Sequence, residues 1–110
     1  MKKPEVVCLC GSTKFYNEFQ DANYRFTMQG KIVLSVGFYP HSQTRAHGQK
    51  IGCTPEQKVM LDDLHKRKID ISDFVYVLNV GGYIGESTRS EIDYAKDAGI
   101  PIHYLEEINN

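Results

Sequence analysis

The chain has 110 residues, 41% of them hydrophobic and 25% charged, with a formal net charge of -1 at neutral pH. That length holds one core and not two, so a single domain over residues 1–110 is expected, and the composition is that of a folded globule rather than a disordered chain. With charge near zero and no basic run longer than Lys66-Arg67-Lys68, long nucleic acid and a membrane surface are poor partners, and a small ligand is the better expectation.

The amino-terminal MKKPEVVCLCGST has two lysines and a short apolar run broken by Gly11. No small-residue cleavage pattern follows it and no later stretch of about 18 apolar residues exists, so a cytoplasmic location is expected. Residues 5–10, EVVCLC, read as a buried strand stopping at a tight turn. Within that strand Cys8 and Cys10 point to the same face. The cysteine count of 3 is odd, and no histidine pair at ligand spacing accompanies them. They therefore read as buried free thiols rather than a disulfide framework or a metal site.

A helix from about Lys14 to Gln29 follows, with Phe15, Phe19, Ala22 and Phe26 on its apolar face and Gly30 as its stop. Residues 31–36 form a second strand, after which Gly37-Phe38-Tyr39-Pro40-His41 opens a polar loop through Gly52, long enough to suggest a functional segment. Tyr39 and His41 in that loop suit either stacking on a base or plain exposure. Thr54-Pro55-Glu56-Gln57 supplies an N-cap threonine, a proline at the first helical position and a glutamine at the third, which starts a helix. Met60, Leu61, Leu64 and Ile71 are expected on its buried side, His65 on its exposed flank, and Lys66-Arg67-Lys68 on a solvated face near its end. A third strand, Phe74 to Leu78, leads through the glycine-rich turn Asn79 to Gly85 into the helical stretch GESTRSEIDYAKDAG. Residues 100–105 give a fourth strand, and the tail from Glu106 is expected to fray.

Strands alternating with helices imply a parallel sheet with helices on both faces, here an α/β three-layer Rossmann or flavodoxin-like fold of four to five strands. Ligands of such sheets bind beyond the carboxyl ends of the strands, at the switch point of the chain. The segments Gly11–Lys14, Gly37–His41 and Asn79–Thr88 should meet there.

Glu91 is the residue out of place. At about 100° per residue it falls in the stripe of Ile92, Ala95, Ala98 and Gly99. Thr88-Arg89-Ser90-Glu91 is a capping-box sequence, so the carboxylate either caps its helix or is held as a nucleophile or general base. Gly11, Ser12, Thr13 and Lys14 form either a phosphate cradle or a plain turn with Ser12 or Thr13 as N-cap, and Ser87 and Thr88 pose the same choice at a second helix start. Asn79 suits a hydrogen bond to a sugar or base, or an ordinary turn.

The strand ending in CGST, the segment Ile71-Ser72-Asp73-Phe74-Val75-Tyr76-Val77-Leu78-Asn79 and the motif GESTRSEIDYA together resemble the nucleoside 2-deoxyribosyltransferase-like superfamily. That superfamily includes deoxynucleoside monophosphate N-glycosidases, and the likeness runs from about Val6 to Tyr104. The resemblance implies that Glu91 is the nucleophile on the anomeric carbon, that Cys10-Gly11-Ser12 holds a 5′-phosphate with Ser87 nearby, and that sites are shared across a homo-oligomer. It implies a nucleoside or nucleotide substrate and neither metal nor cofactor. The family places an aspartate eight residues before the one that opens the third strand, and here that position is His65. His65 itself or Asp62 would then stand in for the acid, with Tyr16 or Tyr39 for the family's site tyrosine. A non-catalytic nucleotide-binding module on the same fold is the alternative reading, and a scaffold whose Glu91 only caps a helix is a third.

Overall fold

The structure, a computed structural model, describes residues 3–37 and 54–108. The expected loop with Tyr39 and His41 lies outside the described residues. Strand β1 (Val6–Cys10) leads to α1 (Tyr16–Met28), β2 (Ile32–Leu34), α2 (Pro55–Asp70), β3 (Phe74–Val77), α3 (Glu86–Asp97) and β4 (Ile102–Tyr104), with a short 3-10 turn at Val80–Gly82. The four strands are all parallel, in the order β2-β1-β3-β4. The α/β architecture expected from the alternation is therefore present, with four strands rather than five among the described residues. No helix among them is long and apolar enough to cross a membrane.

The pleat of β1 divides the core. Val7 and Leu9 face α1, where they pack with Phe19, Ala22, Phe26, Phe74 and Leu78. Cys8 and Cys10 face the other side, with Ile69 of α2, Val75 and Val77 of β3, and Ile92 and Ala95 of α3. All five β1 residues are buried, as a central parallel strand covered by helices on both faces requires. Asp73 fixes the start of the sheet: its carboxylate accepts from Val6 N–H at 2.7 Å, and its own N–H donates to Val6 C=O at 2.8 Å.

Four local expectations need correction. Helix α2 begins at the Thr54 capping box as its sequence indicates, but it buries His65 and Ile69, while Met60, Leu64 and Ile71 are exposed. The inward stripe runs through half-buried Leu61 and buried His65 and Ile69 at four-residue spacing, its centre about 100° or more around the helix from Met60 and Leu64. The basic trio is also less free than a solvated face: Lys68 Nζ donates to Ser35 C=O at 2.6 Å, and Arg67 bridges α2 to α3 by donating to Tyr94 Oη at 3.1 Å. Ala98, expected in the α3 stripe, is exposed together with Gly99. Glu106 does not fray, because its N–H donates to Asn79 Oδ1, its C=O accepts from Asn79 Nδ2, each at 2.9 Å, and its carboxylate accepts from Gly81 N–H at 2.7 Å.

Candidate functional site

Since β1 feeds β2 on one side and the chain returns to β3 on the other, the switch point lies between the carboxyl ends of β1 and β3. Gly11 ends β1 there. A Cβ on it would meet Leu78 Cβ at 3.1 Å and Leu78 C=O at 3.2 Å, so only glycine lets the two chain segments pass this closely. Beside this crossing opens a cleft of about 900 Å³, a volume suited to a nucleotide-sized ligand. Its walls come from Gly11–Thr13, from Gly37, from the inner side of α2 and from Tyr83 to Glu91. The described parts of all three expected segments therefore meet.

The start of α3 decides what Glu91 is. The helix opens at Glu86 with Gly85 as N-cap, so Thr88 is a buried helical residue and Glu91 is in the second turn. The capping-box reading fails for that reason: the cap position belongs to Gly85, Thr88 is already the third helical residue, and no side chain caps the helix. Glu91 is only 8% exposed and lines the cleft. The N-cap alternative for Ser12 and Thr13 fails as well, because α1 is capped at Phe15 with no side-chain bond. Ser12 Oγ instead accepts weakly from Lys14 N–H at 3.3 Å, at the cleft edge.

Beneath Glu91 lies a cluster that the sequence reading did not assemble. His65, 6% exposed, points its Nε2 to within 3.9 Å of Glu91 Oε1, 3.5 Å of Cys8 Sγ and 3.5 Å of Cys10 Sγ. The pairing of β1 with β2 ends at Cys8 and Leu34, and the Leu9 carbonyl beyond that last pair lies 3.0 Å from the same nitrogen. His65 is thus not a surface residue. Its burial follows from its place in the α2 stripe, opposite two small thiols that leave room for an imidazole over the sheet.

These groups set one another's charge. A hydrogen bond from Cys10, and a weaker one from His65, draw the Cys8 thiol down from 9.0 to about 5 against the effect of burial. The same bond, with burial, holds Cys10 protonated well above 9.0. Burial opposes the charged form of His65, yet Cys8 and Glu91 outweigh it and raise its pKa above 6.5. Burial raises the Glu91 carboxyl above 4.5, with His65 and the Cys10 thiol pulling the other way.

At the outer rim, Lys58 Nζ donates to Ser87 Oγ at 2.9 Å and pairs with Asp62 at 3.1 Å. Lys58 was not singled out by the sequence; the only signal was its place one turn into α2. Tyr83, also missed, lines the cleft with an exposed ring. Of the expected site residues, Glu91, Gly11, Ser12, Thr13 and Ser87 line the cleft. Lys14, Asn79 and Gly82 do not. Lys14 places its ammonium 3.6 Å from the centre of the Tyr83 ring, and the Asn79 amide is occupied by the Glu106 backbone. Gly82, with φ of 81°, serves the turn conformation that glycine alone adopts readily.

The site can therefore present a buried carboxylate at the floor of a cleft, a cation and hydroxyls at its rim, and the amino terminus of α3 between them. Compared with known proteins, the chain matches no family, no curated protein and no solved structure.

Proposed function

We propose that this chain cleaves or transfers the N-glycosidic bond of a nucleoside or its 5′-monophosphate, with Glu91 as the nucleophile. The observation that carries this reading is the position of Glu91: a buried carboxylate that caps no helix and faces a nucleotide-sized cleft at the switch point. Glycosidic chemistry suits such a group, since a carboxylate oxygen can add to an electron-poor anomeric carbon and leave again. The resemblance of GESTRSEIDYA to the deoxyribosyltransferase-like motif supports the same assignment.

In this reading a Glu91 oxygen bonds to C1′ as the bond from C1′ to the base nitrogen breaks. Its electron pair leaves with the base, which takes up a proton. Water then attacks C1′ of the glycosyl ester, returns the carboxylate and loses its proton; a second base in place of water gives transfer. Lys58, Ser12, Thr13 and Ser87 hold a 5′-phosphate, helped by the positive end of the α3 dipole. Tyr83 offers a ring for the base. His65, which lines the cleft beside Glu91, balances the carboxylate charge and fixes its direction.

The test is a panel of nucleosides and 5′-monophosphates, with free base followed by chromatography beside a Glu91→Gln variant. Base release by the native chain should fall at least about 10³-fold in the variant, because the covalent route is removed. Release that survives the substitution overturns the nucleophile. No release from any substrate, with thermal stabilisation by a nucleotide, supports the binding module instead.

A further inference from the structure

No metal is expected from local spacing, since the third donor comes from a helix more than fifty residues beyond the cysteines. We propose that Cys8 Sγ, Cys10 Sγ and His65 Nε2, with the Glu91 carboxylate as fourth ligand, form a binding site for one zinc-class divalent ion at the floor of the cleft. The three donor atoms from Cys8, Cys10 and His65 lie within 4.8 Å of one another, and all three residues are buried. In a tetrahedral zinc site, bond lengths of about 2.3 Å to sulfur and about 2.0 Å to nitrogen set the sulfur-to-nitrogen edge at about 3.5 Å. Both edges from His65 Nε2 measure 3.5 Å. Glu91 stands outside that compact trio: its oxygen is 3.9 Å from the same nitrogen, and its side chain has to move inward to take the fourth position.

Charge argues for the same occupant. Two adjacent thiols and a carboxylate share this buried space with one imidazole, and of the two lysines lining the cleft Lys68 gives its ammonium to the Ser35 carbonyl and Lys58 to Ser87 and Asp62. A divalent ion is the group that lets both thiolates and the carboxylate ionise together. Thiolate and imidazole donors select zinc and related soft or borderline metals over magnesium or calcium. The ion replaces the proton that His65 Nε2 shares with the Leu9 carbonyl, so the ring turns from that oxygen toward the sulfurs it already reaches. Glu91 in the fourth position has its lone pair engaged, so the metal-loaded state and nucleophilic attack exclude each other. This inference goes beyond the glycosidic reading and stands without it.

The test uses the full chain, reduced and stripped with a chelator, then titrated with cobalt(II) alone and followed by absorption. One equivalent should produce thiolate-to-cobalt charge-transfer bands in the near ultraviolet with the visible bands of tetrahedral cobalt, and zinc should displace it. Cys8→Ser and Cys10→Ser should each diminish the charge-transfer intensity, and Glu91→Gln should keep it while weakening binding. Substitution of the third cysteine of the sequence, Cys53→Ser, should leave the spectrum unchanged. Absence of thiolate bands in the folded native chain overturns the site, as does a spectrum that follows Cys53 instead. Because the reading needs no substrate, and base release is assayed separately in chelator, failure of one proposal is distinguishable from failure of the other.

Discussion

His65 of α2 and Glu91 of α3 face each other at 3.9 Å beneath the cleft, both almost out of reach of water. At that separation and an effective dielectric near 20, their attraction is about 4 kcal/mol, the same order as the several kcal/mol that each ion loses on burial. Burial still prevails for the carboxyl, whose pKa is raised, while His65 gains enough from Cys8 and Glu91 to be raised too. His65 therefore offsets part of what burial costs the Glu91 carboxylate. That is the property a buried nucleophile needs.

The raised carboxyl predicts a pH-dependent stability. A carboxyl whose folded pKa lies above its unfolded value binds more protons when folded, so its contribution is present below about pH 4.5 and is lost as pH rises through the folded pKa. Gln does not titrate. In metal-free protein, the unfolding midpoint of Glu91→Gln relative to the native chain should shift in favour of the variant as pH increases from 4.5 toward neutrality. Removal of Glu91 also takes away part of what raises His65, which acts in the same direction above pH 6.5. Denaturant melts at several pH values check this, and a difference that narrows with rising pH would contradict the sign.

In the proposed reading, Lys58 is the residue that tells a 5′-monophosphate from a nucleoside. Its ammonium sits beside Ser87 and Asp62, about two helical turns along α2 from His65. Lys58→Met should raise KM for a 5′-monophosphate by about tenfold or more, the worth of a charged hydrogen bond, and leave KM for the unphosphorylated nucleoside nearly unchanged. Equal losses for both substrates would place the phosphate elsewhere.

The order of elements was legible because each strand and helix carries its own local period, and the Thr54 cap announced α2 within a residue. What the sequence hid were relations between distant residues. His65 lies in the buried stripe of α2, but a histidine there looks polar, so the exposed Met60 and Leu64 set the apparent phase instead. Thr88 and Glu91 satisfy the capping-box spacing, yet Gly85 takes the cap because its extended backbone begins the helix one turn earlier. Spacing alone could not choose between two starts three residues apart. The role of Asn79 depended on Glu106, 27 residues later, and no local pattern announces such a contact.

The cap on α2 is testable directly. Thr54 Oγ1 accepts from Gln57 N–H at 3.1 Å, and Gln57 Oε1 accepts from Thr54 N–H at 2.8 Å. Thr54→Ala should destabilise the fold by about 1 kcal/mol, and Thr54→Ser should recover most of that. Equilibrium denaturation measures both. Equal losses for the two substitutions would mean that the methyl group, not the hydroxyl, matters.

Asn79 gives the sharpest division between holding the fold and holding a ligand. Its side chain is 2% exposed and binds both the N–H and the C=O of Glu106, so it fastens the segment after β4 to the end of β3. Asn79→Ala leaves those backbone groups to find water at a partly buried position, which should cost about 1–3 kcal/mol of stability. The cleft is lined by other residues, so KM for any nucleoside or nucleotide should stay within about twofold at a temperature where the variant is folded, a change worth less than about 0.5 kcal/mol. Substitution by Asp is the informative partner. It keeps the acceptor for Glu106 N–H but puts a second acceptor against Glu106 C=O, so it should recover little of the loss, whereas a ligand contact made through the oxygen alone would be retained. A variant with native stability and a large rise in KM would return Asn79 to the binding site.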